Sequence, residues 1–515
     1  MTTAPRDVLD DPDRQDGEAM PPTEDGLSGQ AVRGVLFSGG GQIVRQVVQA
    51  AAQICLAHLL VPADFGLVGM AVVFVGVAQM LADFGIGSAI VQSEEVDEDV
   101  VSSSFWANLA VTLGLAVAVV LSAPLIGLFY RDSRVAPLVA LLSVGLVLAG
   151  CTTVPRALLY RSMGFGRVAR AEVIGSFAGA VTAVGMAASG FGVWSLAFQP
   201  VVGNLFTLGA TWKAAAWRPR MILRFDRIRG LLGFSAGVLG SDILNYASRN
   251  ADDLLIGRFL GGGPLGLYTM AYQIMVYPLN QVSAVIVKVL FPTLTKLQAD
   301  GDRFRRAYLR AVSGIAMITG PMMLGLLVVA DDFVAVVFGT EWIPMTDVLR
   351  VFCVIGLLQS LGSPVGTIYL SRGRTTTLFR MTLLVTPLIV AAFIVGLPWG
   401  ILGVAIAYAT VIVSIIYFTL AVAFRIGEIR FRAFHAAVVP PLVASVMMSA
   451  VVFGFRWLAG GLLEPSWRLI CSVAVGMVAY AALLPIVSRE ACFEMVAIVR
   501  RTFAPSTTGG TEGSA

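Results

Sequence analysis

Six polar or charged side chains sit inside one apolar stretch, Ser241–Ile256: Asp242, Asn245, Arg249, Asn250, Asp252 and Asp253. On a helix, positions 242, 245, 249 and 252/253 follow an i, i+3, i+7, i+10/i+11 rhythm and share one face. A charge at the centre of a membrane helix costs roughly 2.5–3.5 kcal/mol on insertion scales. A face with several must look onto water, onto other polar groups or onto a polar substrate. Two chemistries fit this segment: Arg249 pairing with Asp252 or Asp253 to stitch helices together, or the wall of a polar cavity. Arg45, Asp83 and Lys288 are the other charges set within apolar stretches. Lys288 lies close enough to a span end to reach an interface with its ammonium. Glu172 and Arg350 also lie near span ends, where a long side chain snorkels.

These residues have to be positioned by membrane helices. The 515-residue chain is 57% hydrophobic and only 13% charged, with a formal net charge of +4. Soluble domains carry about 25% charged residues, so the composition is that of a polytopic membrane protein. Basic residues lie in short loops between apolar spans, not on one soluble face, which excludes a nucleic-acid-binding surface. Five cysteines form no C-x-x-C, and His58 and His435 have no carboxylate or thiol at ligand spacing, so no metal site is expected. The polar, acidic residues 1–30 lack the basic and apolar regions of a signal peptide and read as a disordered tail.

Fourteen apolar segments long enough to span recur along the chain. The first two are 34–58 and 66–92, the seventh and eighth 230–256 and 265–290, and the last two 436–458 and 468–488. The shortest connections are Gly190-Phe-Gly192 and Leu397-Pro-Trp-Gly400. Alternate loops collect lysine and arginine: Arg156 to Arg170, Lys213 to Arg229, Lys296 to Arg310, Arg372 to Arg380, Arg425 to Arg432 and the tail with Arg489, Arg500 and Arg501. The opposite loops hold only Arg131, Arg134, Arg258, Arg456 and Arg468. The positive-inside rule then places both termini in the cytoplasm of a multi-pass plasma (inner) membrane protein. No loop on the other side exceeds about fourteen residues, which suits a transporter better than a membrane enzyme.

The chain also repeats itself. Leu60-Val-Pro-Ala-Asp-Phe-Gly-Leu-Val-Gly-Met-Ala71 aligns with Leu260-Gly-Gly-Gly-Pro-Leu-Gly-Leu-Tyr-Thr-Met-Ala271 at a spacing of 200, and Leu158–Gly164 resembles Ile368–Gly373. Six spans per half make a parallel repeat about an axis along the membrane normal. The expected fold is therefore all-α: residues 31–225 and 226–425 as two six-helix bundles, 426–490 as an extra pair, and 491–515 as a cytoplasmic tail. Under this repeat spans one and seven are equivalent, as are two and eight. Arg45, Asp83, the Arg249/Asp252/Asp253 group and Lys288 fall on those four spans.

Pro62-Ala-Asp-Phe-Gly66, Leu81-Ala-Asp-Phe-Gly-Ile-Gly-Ser-Ala-Ile-Val-Gln92, Asn245-Tyr-Ala-Ser-Arg-Asn-Ala-Asp-Asp253 and Leu290-Phe-Pro-Thr-Leu294 resemble the Wzx-type oligosaccharide flippases. The branch in question includes the colanic-acid exporter, within the multidrug/oligosaccharidyl-lipid/polysaccharide exporter superfamily. The resemblance covers roughly residues 30–430. It implies about fourteen helices around a central cavity that works by alternating access, with spans one, two, seven and eight as the lining. It further implies an undecaprenyl-pyrophosphate-linked oligosaccharide as substrate, moved between leaflets for cell-surface polysaccharide, including lipopolysaccharide, biosynthesis. Glycan polymerases are implied as partners, and the last helix pair as a groove for the lipid tail. The expected substrate-cavity residues are Arg45, Asp83, Asp242, Asn245, Arg249, Asp252, Asp253 and Lys288. No cofactor is implied, and the carboxylates leave coupling to H⁺ or Na⁺ open. A cation-coupled small-molecule exporter of the same superfamily and a polysaccharide polymerase or ligase are the competing classes. Gly261-Gly-Gly-Pro-Leu-Gly266 matches G-x-G-x-x-G but follows a membrane span, so it is a turn. No G-x-x-x-x-G-K-[ST] is present.

Overall fold

A computed structural model describes residues 24–82, 87, 90–91, 97–222, 246–247 and 249–487, with side chains from residue 39 onward. The described residues form α1 (Glu24–Leu59), α2 (Pro62–Ala82), α3 (Glu98–Tyr130), α4 (Val135–Arg161), α5 (Phe165–Ala188) and α6 (Val193–Ala215). After these come α7 (Ala251–Phe259), α8 (Gly262–Pro278), α9 (Ala284–Lys296), α10 (Gly301–Val337), α11 (Thr346–Gly362) and α12 (Val365–Ser371). Last are α13 (Thr375–Gly396), α14 (Gly400–Gly427), α15 (Phe431–Ala459) and α16 (Pro465–Val487). α8 and α9 form one span joined by a π-helical turn, Leu279–Ser283. α11 and α12 form another, interrupted at Ser363-Pro364, where proline supplies no amide donor.

Among the described residues, ten helical runs are long and apolar enough to cross a membrane. One of them, Thr375–Gly427, folds back at Leu397–Trp399 into two helices packed side by side, with Gly400 at φ 72°. The turn at Gly190–Gly192 is equally sharp, with both glycines at positive φ. Large apolar side chains stand exposed along the outer faces, among them Leu121, Leu125 and Leu128 on α3 and Trp457 (78% exposed) on α15. Contiguous apolar surface of this extent belongs in lipid.

One expectation needs amendment, and another rests on residues that are mostly not described. α1 begins at Glu24, inside the tail expected over 1–30. The expected seventh span, 230–256, falls mostly outside the described residues. Where it is described, the helix is not uniform: Asn250 adopts a turn between Arg249 and α7. The fourteenth crossing is therefore not reached among the described residues.

α1 to α6 form one bundle, in which α5 packs on α1 and α6, and α4 on α2, α3 and α6. α8 to α14 form a second, with α10 beside α11, and α14 beside α11 and α13. α15 and α16 pack on each other and on α10. The two bundles meet through α2 and α8. Near the arginine-poor loops they share one core, in which Ala57, Leu67 and Met70 of the first lie with Leu265, Tyr268 and Trp342 of the second. Near the arginine-rich loops each bundle has its own core: Val101, Phe105, Val154 and Ala157 in the first, and Leu290, Leu294, Phe304 and Phe424 in the second.

The α2–α8 crossing is a backbone contact. A Cβ on Gly66 would lie 1.8 Å from the carbonyl oxygen of Gly262, and a Cβ on Gly266 would lie 1.8 Å from that of Pro62. No other residue type fits either position. The contact is reciprocal across the 200-residue spacing, as an axis relating the two halves requires. Buried Trp342 adds a seal by donating from Nε1 to the Ala57 carbonyl at 2.9 Å, its ring edge-on to Phe65 at 5.0 Å.

Four basic residues of the arginine-poor loops, Arg134, Arg258, Arg456 and Arg468, are neutralised or stacked. Arg134 pairs with Asp132 at 2.8 Å, and its guanidinium holds that carboxyl below the usual range. Arg258 lies over the Phe129 ring at 5.5 Å. Asp332, its side chain 3% exposed, accepts from Arg468 Nε at 2.8 Å and pairs with Arg456 at 2.9 Å, fastening α15 and α16 to α10. Arg350 pairs with Asp331 at 2.6 Å and with Asp347 at 2.9 Å. Ahead of α3, Asp97 caps the helix, accepting from the Asp99 amide at 3.1 Å, and Glu98 pairs with Arg220.

Candidate substrate cleft

Polar side chains on α1 of the first bundle and on the α8–α9 span of the second converge at Gln53–Gln273, and we take the space between these two faces as the candidate substrate cleft, with α1 as its first wall. Gly41 and Arg45 face α5: a Cβ on Gly41 would lie 2.8 Å from that of Ala169, and Arg45 pairs with Glu172 at 3.3 Å. Leu56 is buried with Ala183, Ala187 and Leu196 on the same side. The opposite side is lipid-facing, with Ile43 and Val47 each 63% exposed. Between these two faces stand Gln42, Gln46, Gln49 and Gln53 at i, i+4, i+7 and i+11. At 3.6 residues per turn they fall within an arc of about 60°. Gln53 shows where that arc points. Its Nε2 donates to Gln273 Oε1 on α8 at 2.6 Å and lies 3.3 Å from Met270 Sδ.

The second wall is the α8–α9 span, where Gln273, Tyr277, Asn280 and Lys288 are exposed. The π-helical turn adds one residue to the ordinary repeat between Asn280 and Lys288, turning the face that follows. The walls join at Gln53–Gln273, in the half where the bundles share a core. Gln46 and Gln49, farther from that end, make no hydrogen bond among the described residues.

The residues singled out from sequence are distributed unevenly. Asp83, Asp242 and Asn245 lie outside the described residues. Arg45 has its own carboxylate, Glu172, which sequence position had suggested would snorkel. Arg249 is exposed and makes no ion pair with either neighbouring aspartate among the described residues. Asp252 is 4% exposed and accepts a hydrogen bond from Tyr268 Oη at 3.0 Å, while Asp253 accepts one from Thr269 Oγ1 at 3.2 Å. The single face expected for 242–253 is thus divided at Asn250, with Arg249 left exposed and Asp252 turned onto α8. Lys288 is exposed, without an ion-pair partner among the described residues.

The glutamine ladder on α1 was missed by counting charges alone. Its signal was present in the sequence as four amides at helical spacing inside an apolar span. Two recesses open in the first bundle. One, of about 150 Å³ within the first bundle, is lined by Gln79, Thr112, Thr152, Thr153 and Asn204, with Arg156 among its walls. Thr112, Thr152 and Thr153 each donate to a backbone carbonyl one turn earlier, so their lone pairs are what the recess receives. The other, of about 650 Å³ between α1 and α5, is apolar and bordered by Val44, Ala169, Val173, Ile174 and Arg170.

An all-helical membrane protein of two bundles about a polar cleft is a transporter-like architecture. Residues 55–347 match the family described as polysaccharide biosynthesis protein, and the chain belongs to that family. It is 29% identical to the lipopolysaccharide biosynthesis protein WzxC of Escherichia coli K12 over 396 residues, 76% of this chain and 78% of that one. It is 29% identical to the succinoglycan biosynthesis transport protein ExoT of Rhizobium meliloti over 441 residues, 84% and 88% of the two chains. The teichuronic acid biosynthesis protein TuaB of Bacillus subtilis is 26% identical over 416 residues, 79% and 85%. The fold is similar to that of the lipid II flippase MurJ in an inward closed conformation, with a TM-score of 0.72 at 15% identity, covering 88% of this chain and 99% of that one. An inward-facing multidrug-resistance MATE transporter gives 0.54 at 17% identity, covering 75% and 99%.

Proposed function

We propose that the protein is a flippase that moves prenyl-pyrophosphate-linked oligosaccharides across the plasma membrane by alternating access. The observation that carries this reading is the asymmetry of the cleft. One shared core closes it at the arginine-poor end, and two separate cores flank it at the arginine-rich end. With the arginine-rich loops in the cytoplasm, as the positive-inside rule has it, this is a cleft that loads from the cytoplasmic side. A pyrophosphate bearing sugars cannot enter hydrocarbon unaided, because desolvating its charge and hydroxyls is too costly. A polar cleft takes the headgroup while the prenyl chain stays in lipid.

Lys288 and Arg249, exposed on the second bundle, are the cations available to the pyrophosphate. Arg45, already paired, shapes the α1–α5 seam. The names of the relatives, all proteins of polysaccharide biosynthesis or glycan export, support the same substrate class. The test is leaflet accessibility of a labelled prenyl-pyrophosphate oligosaccharide in proteoliposomes. Protein-dependent movement that weakens in Lys288→Ala supports the reading. Efflux of small cationic drugs with no movement of any prenyl-linked glycan transfers the protein to the multidrug class.

A further inference from the structure

The ladder on α1 has a property that the charges of the cleft lack: it is neutral and supplies donors and acceptors together. Each glutamine amide offers two N–H donors and a carbonyl with two lone pairs. Such a group costs free energy wherever it is unpaired in hydrocarbon. Placed within about 60° of each other, the four avoid both the α5 seam and the lipid-facing side holding Ile43 and Val47. Only the two ends of the ladder are engaged: Gln42 accepts from Arg45, and Gln53 donates to Gln273. Gln46 and Gln49, the middle rungs, have no hydrogen-bond partner among the described residues. The rungs rise over roughly 16 Å, eleven residues at 1.5 Å each, enough to touch more than one sugar in a row.

We propose that Gln46 and Gln49 are the glycan-reading residues of the cleft, binding hydroxyl- and acetamido-bearing sugars through their side-chain amides. This rests on the flippase reading above and goes further by separating the duties of the two walls. The second bundle compensates the pyrophosphate through its cations, and α1 of the first bundle reads the sugars. An amide meets a pair of neighbouring hydroxyls, or an acetamido group, with one donor and one acceptor at once. It does so without the charge that would hold a passing substrate too tightly. Gln53–Gln273 closes the far end of the same track, so a glycan advancing along the ladder arrives at a bond that its own hydroxyls can exchange for.

The test compares two substrates in proteoliposomes: a prenyl-pyrophosphate oligosaccharide, and the same prenyl pyrophosphate carrying a single sugar. In Gln46→Leu/Gln49→Leu, two lost amide contacts are expected to slow the oligosaccharide on the order of tenfold. The single-sugar lipid should change less than about twofold, since it spans too little of the ladder. Gln46→Asn/Gln49→Asn, which keeps the amides one methylene shorter, should recover part of the oligosaccharide rate. Equal slowing of both substrates, or of neither, overturns the assignment while leaving the flippase reading intact. A wild-type protein that moves neither lipid removes both. Unchanged thermal melting of the purified variants separates loss of recognition from loss of fold.

Discussion

Gly66 and Gly266 stand 200 residues apart in sequence, and each presents its missing side chain to the other's helix. A Cβ on Gly66 would lie 1.8 Å from the Gly262 carbonyl oxygen, and one on Gly266 would lie 1.8 Å from that of Pro62. This reciprocal approach of α2 and α8 brings the bundles together at the arginine-poor end.

Gly66→Ala or Gly266→Ala forces the helix backbones apart, because neither obstructing atom belongs to a flexible side chain. Overpacking of this kind costs typically about 1–3 kcal/mol. The expected outcome is a lower melting temperature and a leak at the closed end. It is read as faster labelling of Gln53→Cys, from the arginine-poor face, by an impermeant thiol reagent in a background lacking exposed Cys55. Gly39→Ala is the control. A Cβ there meets nothing within 4 Å, so the substitution should be neutral or gain up to about 1 kcal/mol in helix propensity.

Arg45 and Glu172 are about equally exposed, at 31% and 27% of their side chains, and their ion pair spans α1 and α5. A pair so open to solvent contributes little by itself, about 0.5–1 kcal/mol in a double-mutant cycle. Its importance is that each partner leaves the other's charge uncompensated in a membrane protein. Glu172→Ala should therefore impair transport as much as Arg45→Ala, and Arg45→Glu/Glu172→Arg should recover part of the activity. Loss in Arg45→Ala with Glu172→Ala unaffected would instead put the arginine on the substrate.

Tyr268→Phe removes the hydroxyl that donates to Asp252 while keeping the ring, which lies edge-on to Phe352 at 5.1 Å. A buried acceptor deprived of its donor costs about 1–3 kcal/mol. Thermal melting in detergent should fall for Tyr268→Phe and stay nearly unchanged for Thr269→Val, whose partner Asp253 is less buried. Equal shifts would place the two aspartates in equivalent surroundings, contrary to the geometry.

Asp332 is the acceptor for both Arg456 and Arg468. Asp332→Ala leaves Arg468 without its carboxylate and Arg456 with only Asp331 at 3.9 Å, and breaking a buried pair costs about 3–5 kcal/mol. Detachment of α15–α16 from α10 should follow, seen as faster proteolysis between residues 460 and 464. Asp331→Ala should be milder, because Arg350 retains Asp347.

Much of this architecture is set by patterns that act locally. Apolar run lengths determine where helices cross, because a backbone in hydrocarbon must satisfy its own hydrogen bonds. The distribution of arginine among alternate loops points to an orientation without reference to packing. The 200-residue repeat placed Pro62–Gly66 opposite Gly262–Gly266 as equivalent segments, and the glutamines of α1 stood in view at helical spacing.

Tertiary structure alone decided how these parts are used. Arg45 found Glu172, 127 residues away, because Gly41 lets α1 approach Ala169 one turn earlier. Neighbouring Asp252 and Asp253 took different partners, Tyr268 and Thr269, because successive helical residues point about 100° apart and only the packing of α7 on α8 decides what each one meets. Of the three consecutive glycines in the middle of α1, only Gly41 packs closely; Gly39 and Gly40 meet nothing within 4 Å. Composition and periodicity report what each residue pays to sit in water or lipid, and that is a property of the segment. Which two segments touch depends on shape at distances the chain crosses only by folding, and there a single missing Cβ outweighs any preference written along one helix.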